Sequence, residues 1–161
     1  MRFFSFLLLS LFVSCSGEDA SVRQHFLAQS NVSVRFESLV RAVNNRDQDS
    51  VALFYQHVPE LRVLQMDGSI TRGWEAEAES QKVFFESLSM VNFVADAVEI
   101  DVLSKDLVLT TFRFSIDIAR ADGRRDPTTS GNGTIVWIKD PADDEWKIRL
   151  QQLSSRMRSD M

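Results

Sequence analysis

The chain has 161 residues, a formal net charge of −5 and a hydrophobic content of 44%. The negative charge leaves no basic surface for nucleic acid, whose binding depends on neutralising phosphates. The apolar content, with twelve Phe and three Trp, is enough for a folded core and excludes a disordered chain. One cysteine cannot form an intrachain disulfide, and with two histidines it falls short of an ordinary zinc site. We therefore predict one globular domain with no nucleic-acid partner, no metal and no cofactor.

The N-terminus has the pattern of an export signal. Arg2 provides a positive start, a mostly apolar stretch over residues 3–13 follows, and the only cysteine is Cys15. The stretch is too short for a membrane-spanning helix, which needs roughly 20 apolar residues. A cleaved signal peptide over residues 1–14 explains the pattern better.

The residues before Cys15 resemble a bacterial lipobox, the sequence at which a lipoprotein signal is cut and its cysteine acylated. Leu11, Val13 and Ser14 match that pattern, while Phe12 stands where it usually has Leu. The resemblance implies a lipoprotein of the bacterial cell envelope, with Cys15 as the lipidation site and the membrane as a partner through that lipid. Two alternatives stay open, namely ordinary secretion after cleavage at a nearby small residue and an uncleaved anchor.

The first half of the mature chain is predicted to be helical after a polar tether. Residues 15–29 are polar and mixed, which is typical of a solvated linker that begins at the lipidated N-terminus. Apolar positions over residues 31–44 recur with helical spacing and predict a first helix. A second, short helix follows, capped by Asp47 or Asp49 and ended before Pro59.

A hairpin and a third helix come next. Residues 61–66 predict a short strand, and Asp67-Gly68 is a strong signal for a turn into a return strand over residues 70–73. Residues 74–89 predict a helix. Its early glutamates suit the positive end of the helix dipole: Glu75, Glu77 and Glu79.

The second half has the period of a β-sheet. Alternating apolar residues begin near Val98, and two further strands begin near Ile135 and Trp146. The strand that follows the one near Val98, and precedes the one near Ile135, has one continuous face: Thr110, Phe112, Phe114, Ile116 and Ile118. Helices followed by antiparallel strands predict an α+β domain, which we place over residues 30–157.

Three segments, taken together in their order, carry a family resemblance. They are the helix-to-strand passage 51–66, the turn 67–74, and the last two strands, which read Gly-Thr-Ile-Val-Trp over residues 133–137 and Trp-Lys-Ile over 146–148. The chain resembles the nuclear-transport-factor-two-like superfamily, in its polyketide-cyclase-like (SnoaL-like) and ketosteroid-isomerase-like branch. The resemblance implies a cone-like α+β barrel, with about three N-terminal helices packed into a curved antiparallel sheet around a pocket. Many members dimerise through the outer face of the sheet, so we expect a homodimer.

The resemblance leaves three functions open, because this fold hosts isomerases, dehydratases, cyclases, epoxide hydrolases and proteins without catalysis. The first is an exported, lipid-anchored domain that binds a small apolar molecule in a hydrophobic pocket, without a firm catalytic set. The second is an isomerase, dehydratase or cyclase for a hydrophobic substrate, with His57 or a pocket carboxylate as base. The third is a dimeric interaction protein of the envelope. Whether the chain is an enzyme is therefore left open.

Candidate site residues are those that the resemblance places near a pocket. His57 and Tyr55 are weak catalytic candidates, because an imidazole titrates near pH 6.5 and a phenol can donate to a developing oxyanion. Both are equally well explained as ordinary residues close to Pro59. The predicted ligand-binding residues are Tyr55, Trp74, Phe112, Phe114 and Gln152. Their aromatic members are as typical of a core as of a pocket wall.

Gln152 occupies a position that is informative in the family. Many relatives carry a histidine that follows the Trp-Lys-Ile of the last strand and points into the pocket, and counting from Trp146 places Gln152 there. An amide can hydrogen-bond a ligand but cannot transfer a proton near neutral pH. Asp96 and Asp117 are further candidates, although Asp117 shares a strand face with Arg113 and equally suits a surface ion pair.

Overall fold

The computed structural model describes the backbone of residues 17–155 and the side chains of residues 20–155. The predicted signal peptide over residues 1–14 and the lipidation site Cys15 lie outside these residues. The described chain forms three helices and six strands: α1 Gly17–Asn44, α2 Gln48–Ala52, β1 Arg62–Leu64, β2 Ile70–Arg72, α3 Trp74–Glu86, β3 Leu88–Ser104, β4 Leu107–Arg120, β5 Thr129–Lys139 and β6 Trp146–Ser155. Within that part of the chain, none of the helices has the length and apolar character needed to cross a membrane.

The six strands form one curved, unclosed sheet in the order β2-β1-β6-β5-β4-β3. Neighbouring strands are antiparallel except β1 and β6, which run parallel with Val63 opposite Gln151. The predicted α+β class, with helices packed into a curved sheet, is confirmed. The parallel β1–β6 pair is the one departure from the antiparallel sheet that was predicted. Alternation within a strand identifies its buried face but not its neighbour, and β1 pairs with the last strand of the chain.

Helix α1 is longer than predicted. It begins at Gly17, so most of the predicted tether over residues 15–29 is helical. No glycine or proline interrupts residues 18–44, so the helix has no internal breaker. Residues 20–27 are exposed and Ala28 is the first buried side chain. An exposed segment has no regular apolar period from which a helix can be predicted.

The predicted hairpin is present, and helix α3 follows it as expected. β1 and β2 pair around Asp67-Gly68, where Gly68 adopts a φ of 84° and the Ser69 N–H donates to Asp67 Oδ1 at 2.9 Å. Helix α3 ends at Glu86, before the predicted residue 89. The Ser87 side chain donates to the Phe84 carbonyl at 2.7 Å, which satisfies a carbonyl of the last turn.

The inner face of β4 is buried, as its alternation predicts, and it positions the core. Thr110 is fully buried and accepts a hydrogen bond from Trp137 Nε1 at 2.9 Å. Phe112 lies opposite Gly133 of β5, and a Cβ atom on that glycine would overlap the Phe112 ring. The Phe112 ring therefore packs directly over Gly133 of β5, and the absence of a side chain at Gly133 sets the position of this ring beneath the helices.

Candidate functional site

A cavity of about 190 Å³ lies between the inner face of the sheet and the helices. Residues of α1, α3 and strands β3 to β6 contribute to its wall, which is mostly apolar. Aromatic rings are prominent in it: Phe36, Phe84, Phe85, Phe93 and Phe112. Its polar side chains include Tyr55, Glu77, Gln81 and Gln151. An apolar cavity with a few convergent polar groups is the usual form of a small-molecule site.

Helix α3 places Glu77 and Gln81 one turn apart on its buried face, where residues four apart are neighbours. Gln81 Nε2 donates to Glu77 Oε1 at 3.1 Å. Gln81 is only 7% exposed and Glu77 only 3%. Glu77 Oε2 and Gln81 Oε1 have no partner at hydrogen-bond geometry among the residues that the structure describes, although the Thr71 side chain lies near enough to the Glu77 carboxyl to lower its pKa. Buried polar atoms in native proteins are nearly always paired, so two unpaired oxygens at a cavity make this part of it a candidate binding site.

Burial raises the pKa of the Glu77 carboxyl, because its charged form loses hydration. The side chains of Gln81 and Thr71 lie beside the carboxyl and partly offset this rise in pKa. No lysine, arginine or histidine lines the cavity within residues 17–155, so no cationic side chain there stabilises the carboxylate. A carboxyl whose pKa is raised gains or loses its proton nearer neutral pH, as a general acid or base requires.

Tyr55 supplies a second polar group in the same cavity. It is 5% exposed, and its hydroxyl donates to Gln151 Oε1 at 2.7 Å. The backbone beside it is fixed to β6, because the Gln56 N–H donates to the Ile148 carbonyl at 3.0 Å. Burial raises the pKa of the Tyr55 hydroxyl, and the negative charge of Glu77 raises it further. The phenol therefore stays protonated and remains a hydrogen-bond donor at physiological pH.

The structure brings two of the predicted ligand-binding residues into the cavity wall. Tyr55 and Phe112 both line it. Phe114 lies on the same face of β4 but packs in the core against Phe93, with ring centroids 5.5 Å apart. The predicted face of β4 therefore divides between cavity wall and core.

Gln151, and not Gln152, is the amide of β6 that lines the cavity, while Gln152 is exposed. The reason is a β-bulge. Val136 pairs with Leu150 but Trp137 pairs with Ile148, so Arg149 is an extra residue in β6. Counting alternate residues from Trp146, without this extra residue, therefore reaches Gln152 and not Gln151 as the residue that points inward.

The remaining candidates lie outside the cavity. His57 is exposed and stacks on the half-buried Trp74, with ring centroids 3.9 Å apart. Asp96 forms a surface ion pair with Arg113 at 2.8 Å, and Asp117 accepts a hydrogen bond from a threonine of the β4–β5 loop. Among the described residues, no three His, Cys, Asp or Glu side chains are grouped so that they could hold a metal ion.

The two polar groups on α3 were not predicted from the sequence as site residues. The position of Glu77 near the start of the helix suggested a role at the helix dipole together with Glu75 and Glu79, which are exposed as that role requires. The signal that distinguishes Glu77 is its spacing, because Glu77, Gln81 and Phe85 recur every four residues and are the buried side chains of α3. A polar pair on a stripe that includes Phe85 indicates burial against the core.

No protein-family model matches the chain, and no curated protein matches it. Solved structures match it along most of its length. A candidate scytalone dehydratase from Novosphingobium aromaticivorans DSM 12444 has a TM-score of 0.74 at 12% identity, covering 84% of this chain and 89% of that one. A candidate dehydratase of the NTF2-like family from Streptomyces avermitilis has a TM-score of 0.71 at 16% identity, covering 82% and 98%.

A third match is an NTF2-like superfamily protein from Salmonella enterica subsp. enterica serovar Typhimurium str. LT2. Its TM-score is 0.70 at 19% identity, and the match covers 86% of this chain and 94% of that one. All three identities are low, so the similarity concerns the fold. The chain has the nuclear-transport-factor-two-like fold that its sequence resemblance implied.

Proposed function

We propose that this domain binds a small, mostly apolar molecule in the cavity. We propose further that Glu77 exchanges a proton with the polar group of that molecule. The observation that carries the proposal is the unpaired Oε2 atom of Glu77, on a side chain that is 3% exposed. A buried polar atom without a partner costs about 1–3 kcal/mol of stability. A ligand whose polar group pairs with Oε2 removes that cost.

The volume and wall of the cavity set the size of the ligand. An engineered apolar cavity of about 150 Å³ binds benzene. A cavity of about 190 Å³ therefore suits a ring compound with one or two substituents. Apolar burial contributes about 25 cal/mol per Å², so the ring supplies most of the affinity while the polar end sets the orientation.

A second candidate function is catalysis on the same molecule. An isomerase or dehydratase removes a proton from carbon and stabilises the charge that develops on a nearby oxygen. Glu77 is suited to accept the proton because its pKa is raised, and Tyr55, which stays protonated, can donate to the oxygen when it releases its hydrogen bond to Gln151. Two of the similar structures are candidate dehydratases, which supports this reaction class at the level of the fold.

A thermal-shift screen of the purified protein against one- and two-ring fragments tests the binding. Saturation at about 100 times Kd adds roughly 2.7 kcal/mol of stability, or a rise in Tm of roughly 5–11 °C. Glu77→Gln should weaken binding of the best fragments. Glu79→Gln, on the exposed face of the same helix, is the matched control and should leave binding unchanged.

Two results would contradict these proposals. A folded protein whose Tm is raised by no fragment does not bind small molecules in this cavity. If a fragment is turned over and Glu77→Gln or Tyr55→Phe turns it over at the same rate, neither side chain carries the chemistry of the second candidate.

We also propose that the protein is exported and held at the bacterial envelope by acyl chains on Cys15. The support is the sequence pattern before Cys15. Cys15→Ala should leave unprocessed precursor and abolish labelling with a radioactive fatty acid in a bacterial host. Labelling that persists in this variant would refute the lipid anchor, whereas release of unlabelled wild-type protein would favour ordinary secretion.

A further inference from the structure

The unpaired atoms of the cavity are both hydrogen-bond acceptors. Glu77 Oε2 belongs to a carboxyl and Gln81 Oε1 to an amide carbonyl, and neither has a partner at hydrogen-bond geometry among the described residues. The Gln81 Nε2 to Glu77 Oε1 hydrogen bond joins the two groups, so the unpaired oxygens lie on adjoining side chains. When Glu77 is ionised, a ligand that satisfies both oxygens must bring hydrogen-bond donors, because a carbonyl would add a third acceptor.

Among the residues that the structure describes, no cationic side chain lines the cavity to balance Glu77. The side chains that act on its carboxyl are Gln81 and Thr71, and both are neutral near pH 7. An isolated carboxylate in an apolar site is costly unless it is protonated or paired with a cation.

Aromatic rings line the same cavity as these oxygens. Phe36 and Phe112 lie with their ring centroids 4.9 Å apart, and Phe93 lies 6.3 Å from Phe112. Phe84 completes this set on α3, the helix that carries Glu77. The faces of such rings attract a cation within about 6 Å, most strongly where water is excluded.

We infer that the ligand of this cavity is a small primary amine with a one-ring apolar body, bound as its ammonium ion. This inference rests on the proposed binding function and names the ligand class of the same site. One ammonium group carries three donors, which allows it to pair with Glu77 Oε2 and Gln81 Oε1 together. Its positive charge neutralises the carboxylate, and its apolar body packs against the phenylalanine rings.

Binding of a neutral amine involves transfer of one proton from the Glu77 carboxyl to the ligand, with no other proton donor or acceptor required. When Glu77 is protonated in the empty cavity, a neutral amine that enters takes up the carboxyl proton. The O–H bond of Glu77 breaks, an N–H bond of the ligand forms, and an ammonium–carboxylate pair results. An alkyl amine is basic enough for this step, since the amine of lysine has a pKa of about 10.4.

The test compares four ligands of similar shape on the unmodified protein. Benzylamine carries the ring and the amine, benzyl alcohol carries a neutral donor, benzaldehyde carries only an acceptor, and toluene carries no polar group. We expect isothermal titration at pH 7.5 to give benzylamine an affinity about 30-fold or more above that of each of the other three, as for a buried charge pair.

Two variants assign the selectivity to the acceptors. Glu77→Gln keeps the shape of the side chain but removes its charge, and should lower benzylamine affinity about 30-fold while changing toluene affinity less than about twofold. Gln81→Leu removes the second acceptor and should reduce the preference for benzylamine over benzyl alcohol. Glu79→Gln is the control on the exposed face of the helix. Circular dichroism establishes that each variant is folded.

Each outcome decides the inference. Benzyl alcohol or benzaldehyde binding as tightly as benzylamine would overturn it and leave the proposed binding function intact. An unchanged preference for benzylamine in folded Glu77→Gln would also overturn it. Binding of screened fragments without binding of benzylamine overturns the amine class alone, whereas no binding by any fragment or probe refutes the proposed function as well.

Discussion

Replacing Gly133 by alanine tests how the sheet shapes the cavity. Gly133 of β5 lies opposite Phe112 of β4, and an added Cβ atom would overlap three atoms of the Phe112 ring. Phe112 is 5% exposed and packs against Phe36, so the ring cannot move outward to solvent. We expect the ring to be displaced toward the cavity that it lines.

The sign of the stability change distinguishes this overlap from the ordinary effect of the substitution. Gly133 is not among the glycines with positive φ, so its backbone allows alanine. Without a steric conflict, alanine in place of a strand glycine stabilises by about 0.5–1 kcal/mol. Overpacking in a core instead costs about 1–3 kcal/mol. For a chain of this size, that cost lowers Tm by roughly 2–12 °C.

A double-mutant cycle with Phe112→Leu assigns the cost to the ring. Thermal and urea unfolding of the wild type, both single variants and the double variant give the coupling energy. The double variant should be more stable than the sum of the single effects predicts, by about 0.5–3 kcal/mol. Asn132→Ala, at the exposed neighbouring position, is the control and should change stability by less than about 0.5 kcal/mol.

Two results would refute this reasoning. If Gly133→Ala raises Tm, the ring is not confined as the structure shows it. If the two substitutions are additive, Phe112 is not the group that the new methyl displaces. A destabilised Gly133→Ala that keeps full affinity for cavity fragments would show that the ring moves elsewhere.

Two further predictions concern buried polar groups. Thr110→Val should lower the unfolding free energy by about 1–3 kcal/mol in urea titrations, because it leaves the buried Trp137 indole N–H unpaired. Thr111→Val, at a half-buried position, is the control and should lower it much less. Burial raises the pKa of Glu77 in the folded state, so the folded chain holds this proton more tightly and stability falls as pH rises from about 4.3 through the raised pKa. Thermal unfolding from pH 4 to 9 should therefore show Glu77→Gln gaining stability relative to the wild type as pH increases, and a constant difference would contradict this sign.

Much of the fold follows from local patterns in the sequence. The alternation of Thr110 to Ile118 predicts a strand with one buried face, and that face is buried in the structure. Asp67-Gly68 predicts the hairpin between β1 and β2, which is present. These predictions succeed because the period of apolar residues and the chemistry of a tight turn depend on neighbouring residues alone.

The polar end of the cavity was decided by tertiary structure. The bulge at Arg149 changes which face of β6 carries an amide, so Gln151 lies in the cavity and Gln152 is exposed. Glu77 has the sequence context of an ordinary glutamate near the start of a helix, and tertiary packing, with Thr71 of β2 beside it, makes it a buried carboxyl. Distant segments of the chain determine the register of a strand and which face of a helix is buried. The periodicity of a helix or strand, in contrast, depends only on residues that are near one another in the sequence. The sequence alone therefore determined the class of fold, and packing decided which side chains meet in the cavity.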